Sequence, residues 1–350
     1  MVLLAGLSIP WMLYRAAQLD TSSGRPGTST IAASSTSAAS IPIPHLNTSA
    51  ASASITSEVS HLNTSAASTC IMSEVSPLTS SRTPVYFLGI GGPNFIQQTD
   101  HPAYAQLASV GREITTIVQP KAVVVFSAHW QGGPGPNQIK INVARRTNLI
   151  YDFYGFPAHF YDYDYPNQGS PEVAERVVER LVGVGIGVER VERGLDHGVW
   201  AGFMVAFDPK TNPLNVPIVQ VSLFDNQDSD QHYRMGQALE SLRDEGILII
   251  GAGMAVHNLH DFRATRGTGA TMPYVFSFDE ALKDAATAKP EHRRAKMSAL
   301  MTRPDARKAH PTWEHILPLH LAAGAAGSDV GEQLWTFPEA SLSWAQYRFG

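Results

Sequence analysis

Between Pro84 and Gly350, short apolar runs rich in β-branched residues alternate with helix-patterned stretches. This alternation restricts what the chain can fold into more than any single motif does. Val85–Leu88, Ala122–Ser127, Ile139–Val143, Val216–Ser222 and Ile247–Gly251 read as strands, and Tyr104–Val118, Pro171–Gly183, His232–Glu245 and Ser277–Ala288 read as helices. Strand and helix in this rhythm predict an α/β fold, a single domain with a central, largely parallel or mixed sheet flanked by helices. Ala122-Val-Val-Val-Phe126 and Ile247-Leu-Ile-Ile250 are apolar without alternation, as strands buried on both faces are. Ligands of such sheets sit beyond the carboxyl ends of the strands, so the residues following these runs are where chemistry is expected.

The first part of the chain has a different character. Residues 20–83 are dominated by Ser, Thr and Ala and cannot bury enough apolar surface to offset the entropy of ordering, so they read as a disordered linker ahead of a catalytic domain spanning 84–350. Within the linker, His45–Ser60 recurs as His61–Ser76 with 13 of 16 positions identical, a tandem duplication too short and polar for a solenoid. Asn47-Thr-Ser and Asn63-Thr-Ser are glycosylation sequons if the chain enters the secretory pathway. Met1–Tyr14 is apolar but shorter than the roughly 18–20 residues that span a bilayer, and Pro10 interrupts it. Residues 1–19 are therefore expected to act as a signal peptide or anchor, their only route to membrane contact; without that role the chain is cytoplasmic.

Charge and cysteine content narrow the function classes. The formal net charge is −5, which gives no basic excess to attract nucleic acid. Cys70 is the single cysteine, so neither an internal disulfide nor a cysteine-based metal cluster can form. Any iron or zinc must be held by His, Asp or Glu, and the chain has 13 histidines.

Position sorts those histidines. His129 stands at the carboxyl edge of one buried run, in Ser127-Ala-His129-Trp. His257 follows the other, in Gly251-Ala-Gly253-Met-Ala-Val-His257-Asn-Leu, where the glycines allow a tight strand exit. His315 lies with Glu314 in His310-Pro-Thr-Trp-Glu314-His315-Ile-Leu-Pro-Leu-His320, and its neighbours His310 and His320 read as caps or core residues. His197, in Leu195-Asp-His197-Gly-Val-Trp, reads as a loop residue suited to acid/base work, or equally to binding backbone in a turn. No G-x-S-x-G elbow, H-E-x-x-H helix, P-loop or G-x-G-x-x-G after a strand is present, so serine hydrolase, zincin, NTPase and dinucleotide oxidoreductase readings lack their parts.

Taken with Tyr151-Asp-Phe-Tyr-Gly-Phe-Pro157 and the terminal Tyr347-Arg-Phe-Gly, these motifs resemble in sequence order the class III extradiol ring-cleavage dioxygenases, in particular the 4,5-DOPA dioxygenase-like (LigB-type) branch. The resemblance runs from Pro84 to Gly350. It implies oxidative opening of a catechol-like ring by O2 at a single non-haem metal, Fe(II) or Zn(II), with a small aromatic substrate. It further implies metal ligands at His129, His257 and His315, a base at His257 or His315, and His197 as general acid/base. Ile90, Trp130 and Tyr154, with Phe156, are expected at the substrate pocket.

One position departs from the pattern. In Gly89-Ile90-Gly91-Gly92-Pro93-Asn94 an isoleucine stands where the family places its first ligand histidine, and isoleucine has no lone pair to give a metal. Three outcomes follow: the remaining histidines hold a metal with Glu314 or water completing the shell; the pocket binds no metal and does acid/base chemistry (isomerisation, cyclisation, aldol-type or hydrolytic) on a phenolic or polyketide-like substrate of a biosynthetic pathway; or the chain is a non-catalytic binding module. His101 is a further candidate substitute ligand, set against a role capping the helix that follows it. Nothing in the sequence fixes the oligomeric state.

Overall fold

The computed structural model describes residues 82–350 apart from Pro134 and Arg266. The expected signal or anchor, nearly all of the linker with its duplication, both sequons and Cys70 lie outside the described residues. The described residues begin two before Pro84: Thr83 is buried and its hydroxyl donates to the Ile247 carbonyl at 2.8 Å, and Arg82 pairs with Glu240 at 2.7 Å.

Eight strands form the central sheet: β1 (Val85–Gly89), β2 (Ala122–Gln131), β3 (Gln138–Asn142), β4 (Gly187–Val191), β5 (Ile218–Leu223), β6 (Ile247–Gly253), β7 (Gly331–Trp335) and β8 (Gln346–Phe349). Their spatial order is β7-β8-β1-β6-β2-β5-β3-β4. The middle four, β1, β6, β2 and β5, are mutually parallel. β3 runs antiparallel to β5, and β8 antiparallel to both β1 and β7. The sheet is thus mixed with a parallel centre.

The unbroken apolar runs have the expected cause. Val85, Phe87, Val124, Phe126 and Ile249 enter one core, while Tyr86, Leu88, Val123, Val125, Leu248 and Ile250 enter a second on the opposite face. Alternate residues of one strand therefore serve two cores. The helix Pro171–Gly183 begins as its sequence dictates: Ser170 caps it by accepting from the Val173 amide at 3.1 Å, Pro171 opens it, and Ala174, Val177, Val178 and Leu181 form the buried stripe.

The segment read as a loop around His197 is different. Leu195–Asp196 is a short strand pairing parallel with Leu149–Ile150, and His197–Ala206 is an α-helix. Every residue of that helix except Met204 is buried, so its sequence carries no amphipathic period by which it could be recognised. Gly198 and Gly202, one turn apart, let it approach β1 and β2 closely. A Cβ on Gly198 would lie 2.5 Å from Ser127 Oγ and 2.9 Å from the His129 ring, and one on Gly202 would lie 2.6 Å from Ile90 Cγ2.

The glycines after Ile250 also serve close approach. The backbone of His315–Pro318 crosses β6, and a Cβ on Gly251 or Gly253 would come within 2.4 Å of the Pro318 carbonyl oxygen or 2.3 Å of that of His315. The Met254 amide donates to the His315 carbonyl at 3.1 Å and fixes the crossing. Gly253→Ala is expected to lower unfolding stability by about 1–3 kcal/mol through overpacking, measured as a reduced denaturant midpoint with unchanged slope.

Three histidines away from the strand ends are core residues, as read for His310 and His320. His232, His310 and His320 are at most 1% exposed, and burial pushes the first two down to about 4 and the third to about 3. They stay neutral in the fold, whereas the unfolded chain takes up protons below the ordinary value of 6.5. Stability is therefore expected to be complete above that pH and to fall as pH drops from 6.5 towards 4, a trend that pH-resolved denaturation would show.

Candidate metal centre

The carboxyl edge of the parallel strands collects the singled-out residues. Ile90 follows β1, with its amide donating to the Gly253 carbonyl at 3.1 Å; His129 stands near the end of β2; and His257 lies just beyond β6, in the short strand Val256–His257 that pairs with Leu342–Ser343. His315 arrives on the segment crossing β6, and His197 opens its helix. The rings meet: His129 lies 4.1 Å from His197 and 5.3 Å from His315 between centroids, and His257 stacks on His315 at 3.5 Å and 12°.

Asp152, inside a quoted motif but not singled out from it, joins two of these rings. Its Oδ2 lies 2.9 Å from His129 Nδ1; its Oδ1 lies 2.7 Å from His197 Nδ1 and accepts from the His197 amide at 2.9 Å. The parallel pairing of Leu149–Ile150 with Leu195–Asp196 brings the two segments side by side and so sets this contact. A carboxylate only accepts, so both Nδ1 atoms carry protons and both Nε2 lone pairs remain available. The signal in the sequence was an acidic residue embedded in an otherwise aromatic stretch.

Asp196 anchors the same region from behind. Fully buried, it accepts from Ser127 Oγ at 2.7 Å, Gln220 Nε2 at 2.6 Å and Arg193 Nη1 at 3.0 Å. On the other side of the centre, Glu314 Oε1 lies 3.2 Å from His315 Nδ1 and accepts from Thr312 Oγ1 at 2.7 Å.

The titration behaviour follows from these contacts. Burial and the neighbouring His129 lower His197, outweighing the pull of Asp152. Burial, with His315 nearby, puts His257 well below its ordinary value, and burial also lowers His315 against the opposing effect of Glu314. His129 alone shifts upward: burial, the largest single influence, lowers it, but the hydrogen bond and charge of Asp152, joined by Asp196 and Glu314, together raise it further. Despite burial, Asp152 is held below the ordinary carboxylate range by both imidazoles, and Glu314 is held down at about 2 chiefly by His315.

This donor set suits a divalent metal. Two combinations of side chains could each hold an ion, His129/Asp152/His197 and His257/Glu314/His315, with their ligand atoms within 4.8 Å of one another. Two imidazoles bound to one ion through nitrogens about 2.1 Å away place their ring centroids roughly 5 Å apart, close to the 5.3 Å between His129 and His315. Among the described residues the two carboxylates have only imidazoles as ion-pair partners, with neither Lys nor Arg. Two part-buried carboxylates with only imidazoles as ion-pair partners are costly, and a dication would balance them.

The remaining candidates sit at or behind the rim. Ile90 is 2% exposed and belongs to the apolar core beside Gly202. Trp130 is buried under the Arg193 guanidinium, 4.5 Å from its ring, and Tyr154 is 58% exposed. The aromatic residue that meets His197 edge-on is Phe153, at 5.4 Å, with Phe156 packed behind it at 5.1 Å. His101 caps its helix by accepting from the Ala103 amide at 3.2 Å, and its other nitrogen lies 3.0 Å from Glu339.

An α/β sheet with imidazoles and carboxylates gathered at its parallel strand ends defines a metalloenzyme-type scaffold, and comparison with known proteins specifies which. Residues 79–348 match the family model described as the catalytic LigB subunit of aromatic ring-opening dioxygenase, and the chain belongs to this family of class III extradiol dioxygenase-like enzymes. It is 35% identical over 272 residues to a 4,5-DOPA dioxygenase extradiol of Beta vulgaris, covering 75% of this chain and 95% of that one. A 4,5-DOPA dioxygenase extradiol of Escherichia coli K12 is 33% identical over 248 residues, covering 70% and 86% respectively. The crystal structure of an uncharacterized Escherichia coli K12 protein superposes with a TM-score of 0.61 at 28% identity, covering 77% of this chain and all of that one.

Asp152→Asn keeps the shape of the side chain but can accept at only one atom, so it cannot hold both rings. It is expected to weaken binding of added Zn2+ by about 10–100-fold, the usual cost of losing such an orienting partner; calorimetric titration of the apo protein checks this.

Proposed function

We propose that the protein is a metal-dependent oxidoreductase that cleaves a catechol-like aromatic ring beside its hydroxyls with O2. The supporting observation is the convergence of four imidazoles and two cation-free carboxylates on the strand ends of a LigB-family fold. His129, with His257 and His315, would hold Fe(II) or Zn(II), and Fe(II) bound there supplies the electron transfer that lets O2 react with a catechol. The relatives named 4,5-DOPA dioxygenase extradiol support a small aromatic substrate.

The protein's own part is binding and proton handling. Asp152 fixes the proton of His197 on Nδ1, leaving Nε2 to take the proton of a substrate hydroxyl as the ring binds. Asp152 then shares the charge of the imidazolium, as a carboxylate behind a catalytic histidine does. Burial keeps His197 neutral beforehand and therefore ready to accept. Phe153 and Phe156 offer an apolar edge against which an aromatic ring can pack.

A second reading rests on Ile90, which brings no ligand to the end of β1. In it the same His197 performs proton transfer on a phenolic substrate without metal or oxygen. One experiment separates the two. Protein loaded with Fe(II) should consume one O2 per catechol, put both oxygen atoms into the ring-opened product, and lose all uptake with a chelator or with His197→Ala. Turnover that survives chelation but is lost in His197→Ala would establish the second reading instead.

A further inference from the structure

We propose that Arg193 recognises the substrate by binding a carboxylate carried on a short side chain of the aromatic ring, so that the site selects carboxylated catechols over catechols without an acid group. This deepens the reading above and rests on its catechol-binding part, not on the reaction with O2.

The fold sets the guanidinium against the neighbours of two histidines of the centre. Nη1 donates to Asp196 Oδ2 at 3.0 Å, and the charged head lies over the Trp130 ring, 4.5 Å from its centroid. His197 follows Asp196 in the chain, and Trp130 follows His129. Asp196 precedes the helix His197–Ala206 without capping it, because Asp152 accepts the His197 amide instead. Both Asp196 oxygens are thereby released: Oδ2 holds Arg193, and Oδ1 accepts from Ser127 Oγ at 2.7 Å. Ser127 Oγ in turn accepts from the His129 amide at 3.1 Å, so the arginine and the centre share one bonded framework.

The head is fixed on one side and open on the other. Its hydrogen bonds to described residues all come from Nη1, to the Gly194 carbonyl at 3.1 Å, to Asp196 and to Gln220 Oε1 at 3.4 Å. Stacking on the indole sets its plane. Among the described residues the edge formed by Nε and Nη2 makes no hydrogen bond, and the side chain is 20% exposed. That edge is the fork that grips a carboxylate with two parallel bonds. The chain uses it so elsewhere: Arg176 on Glu245, Arg190 on Glu175, Arg294 on Asp230 and Arg303 on Asp305 each donate from Nε and Nη2, at 2.6–3.0 Å. At Arg193 no acid of the described chain fills the fork. A guanidinium immobilised in advance also loses less freedom on meeting an anion than a mobile surface arginine would.

Calorimetric titration of Zn2+-loaded protein with dihydrocaffeate and with its methyl ester tests this, because the two probes share the catechol and differ in the anion. The natural chain should bind the acid about 10–100-fold more tightly than the ester, the range expected of hydrogen bonds between charged groups. Arg193→Met, which keeps an apolar stem against Trp130, should bring the two affinities within about threefold of each other. Equal affinities in the natural chain would overturn the proposal, and so would an acid preference that survives Arg193→Met.

Arg193→Lys gives a second readout where Arg193→Met fails to fold. It keeps a positive charge beside Asp196 and removes the fork, and should reduce the acid-to-ester ratio by about fivefold or more; an unchanged ratio would overturn the proposal. Neither titration uses turnover. Acid preference through Arg193 without O2 uptake would remove the oxygenase reading alone, and O2 uptake with equal affinities for the two probes would remove the role of Arg193 alone. Failure to bind either catechol would remove both.

Discussion

The structure depends on the burial of four parallel strands on both faces. β1, β6, β2 and β5 are dominated by apolar side chains that alternate between two cores, and the buried polar residues they carry, Ser127, Gln220 and Ser222, are hydrogen-bonded. Polar chemistry is displaced to the strand ends, where the chain leaves the sheet and backbone groups face a shared edge. The histidines that meet there come from segments far apart in sequence. They are brought together by strand order, by the crossing of His315–Pro318 over the glycines of β6, and by the helix at His197.

That arrangement creates an electrostatic demand. Burial favours neutral His197, His257 and His315, whereas His129 is shifted upward beside Asp152, and Asp152 and Glu314 sit among them as anions. A Lys or Arg facing these carboxylates would have made the cluster a structural ion pair. The arginine that does reach the region, Arg193, is turned to Asp196 behind the centre and to the face of Trp130. The choice of partners leaves Asp152 and Glu314 facing imidazoles, with neither Lys nor Arg among the described residues.

How legible this was in the sequence varies with how locally each feature is determined. The central strands are visible because continuous β-branched runs have few other uses, and Pro171–Gly183 is bounded as read because its cap, its proline and its buried stripe all lie within it. His129 and His257 stand out because each follows such a strand. The helix at His197 is hidden, since its burial on all sides erases the period that marks a helix. Asp152 is hidden for another reason: its role comes from pairing across 45 residues, and no local pattern distinguishes an aspartate that holds two rings from one in a turn. The expected pocket residues fare unevenly, with Tyr154 turned outward and Phe153, one residue earlier, against His197.

Proton balance ties His197, Asp152 and Ile90 into one argument. A catechol enters neutral and must shed a proton to become a good ligand, so a neutral base has to stand nearby with somewhere to place the positive charge it acquires. His197 meets the first condition through burial and the second through Asp152, whose other oxygen holds His129. On the proposed reading the proton would pass from substrate to His197 with the net charge of the centre unchanged, and the two charges formed would lie beside each other, with Asp152 behind the imidazolium. Ile90 bears on solvation: its apolar side chain is buried at the end of β1 beside Gly202, while the polar groups gather around Asp152 with His197 and around Glu314 with His315. An isoleucine there offers no donor atom and adds apolar surface beside Gly202, and lower local polarity would deepen the pull between carboxylates and any cation they shared.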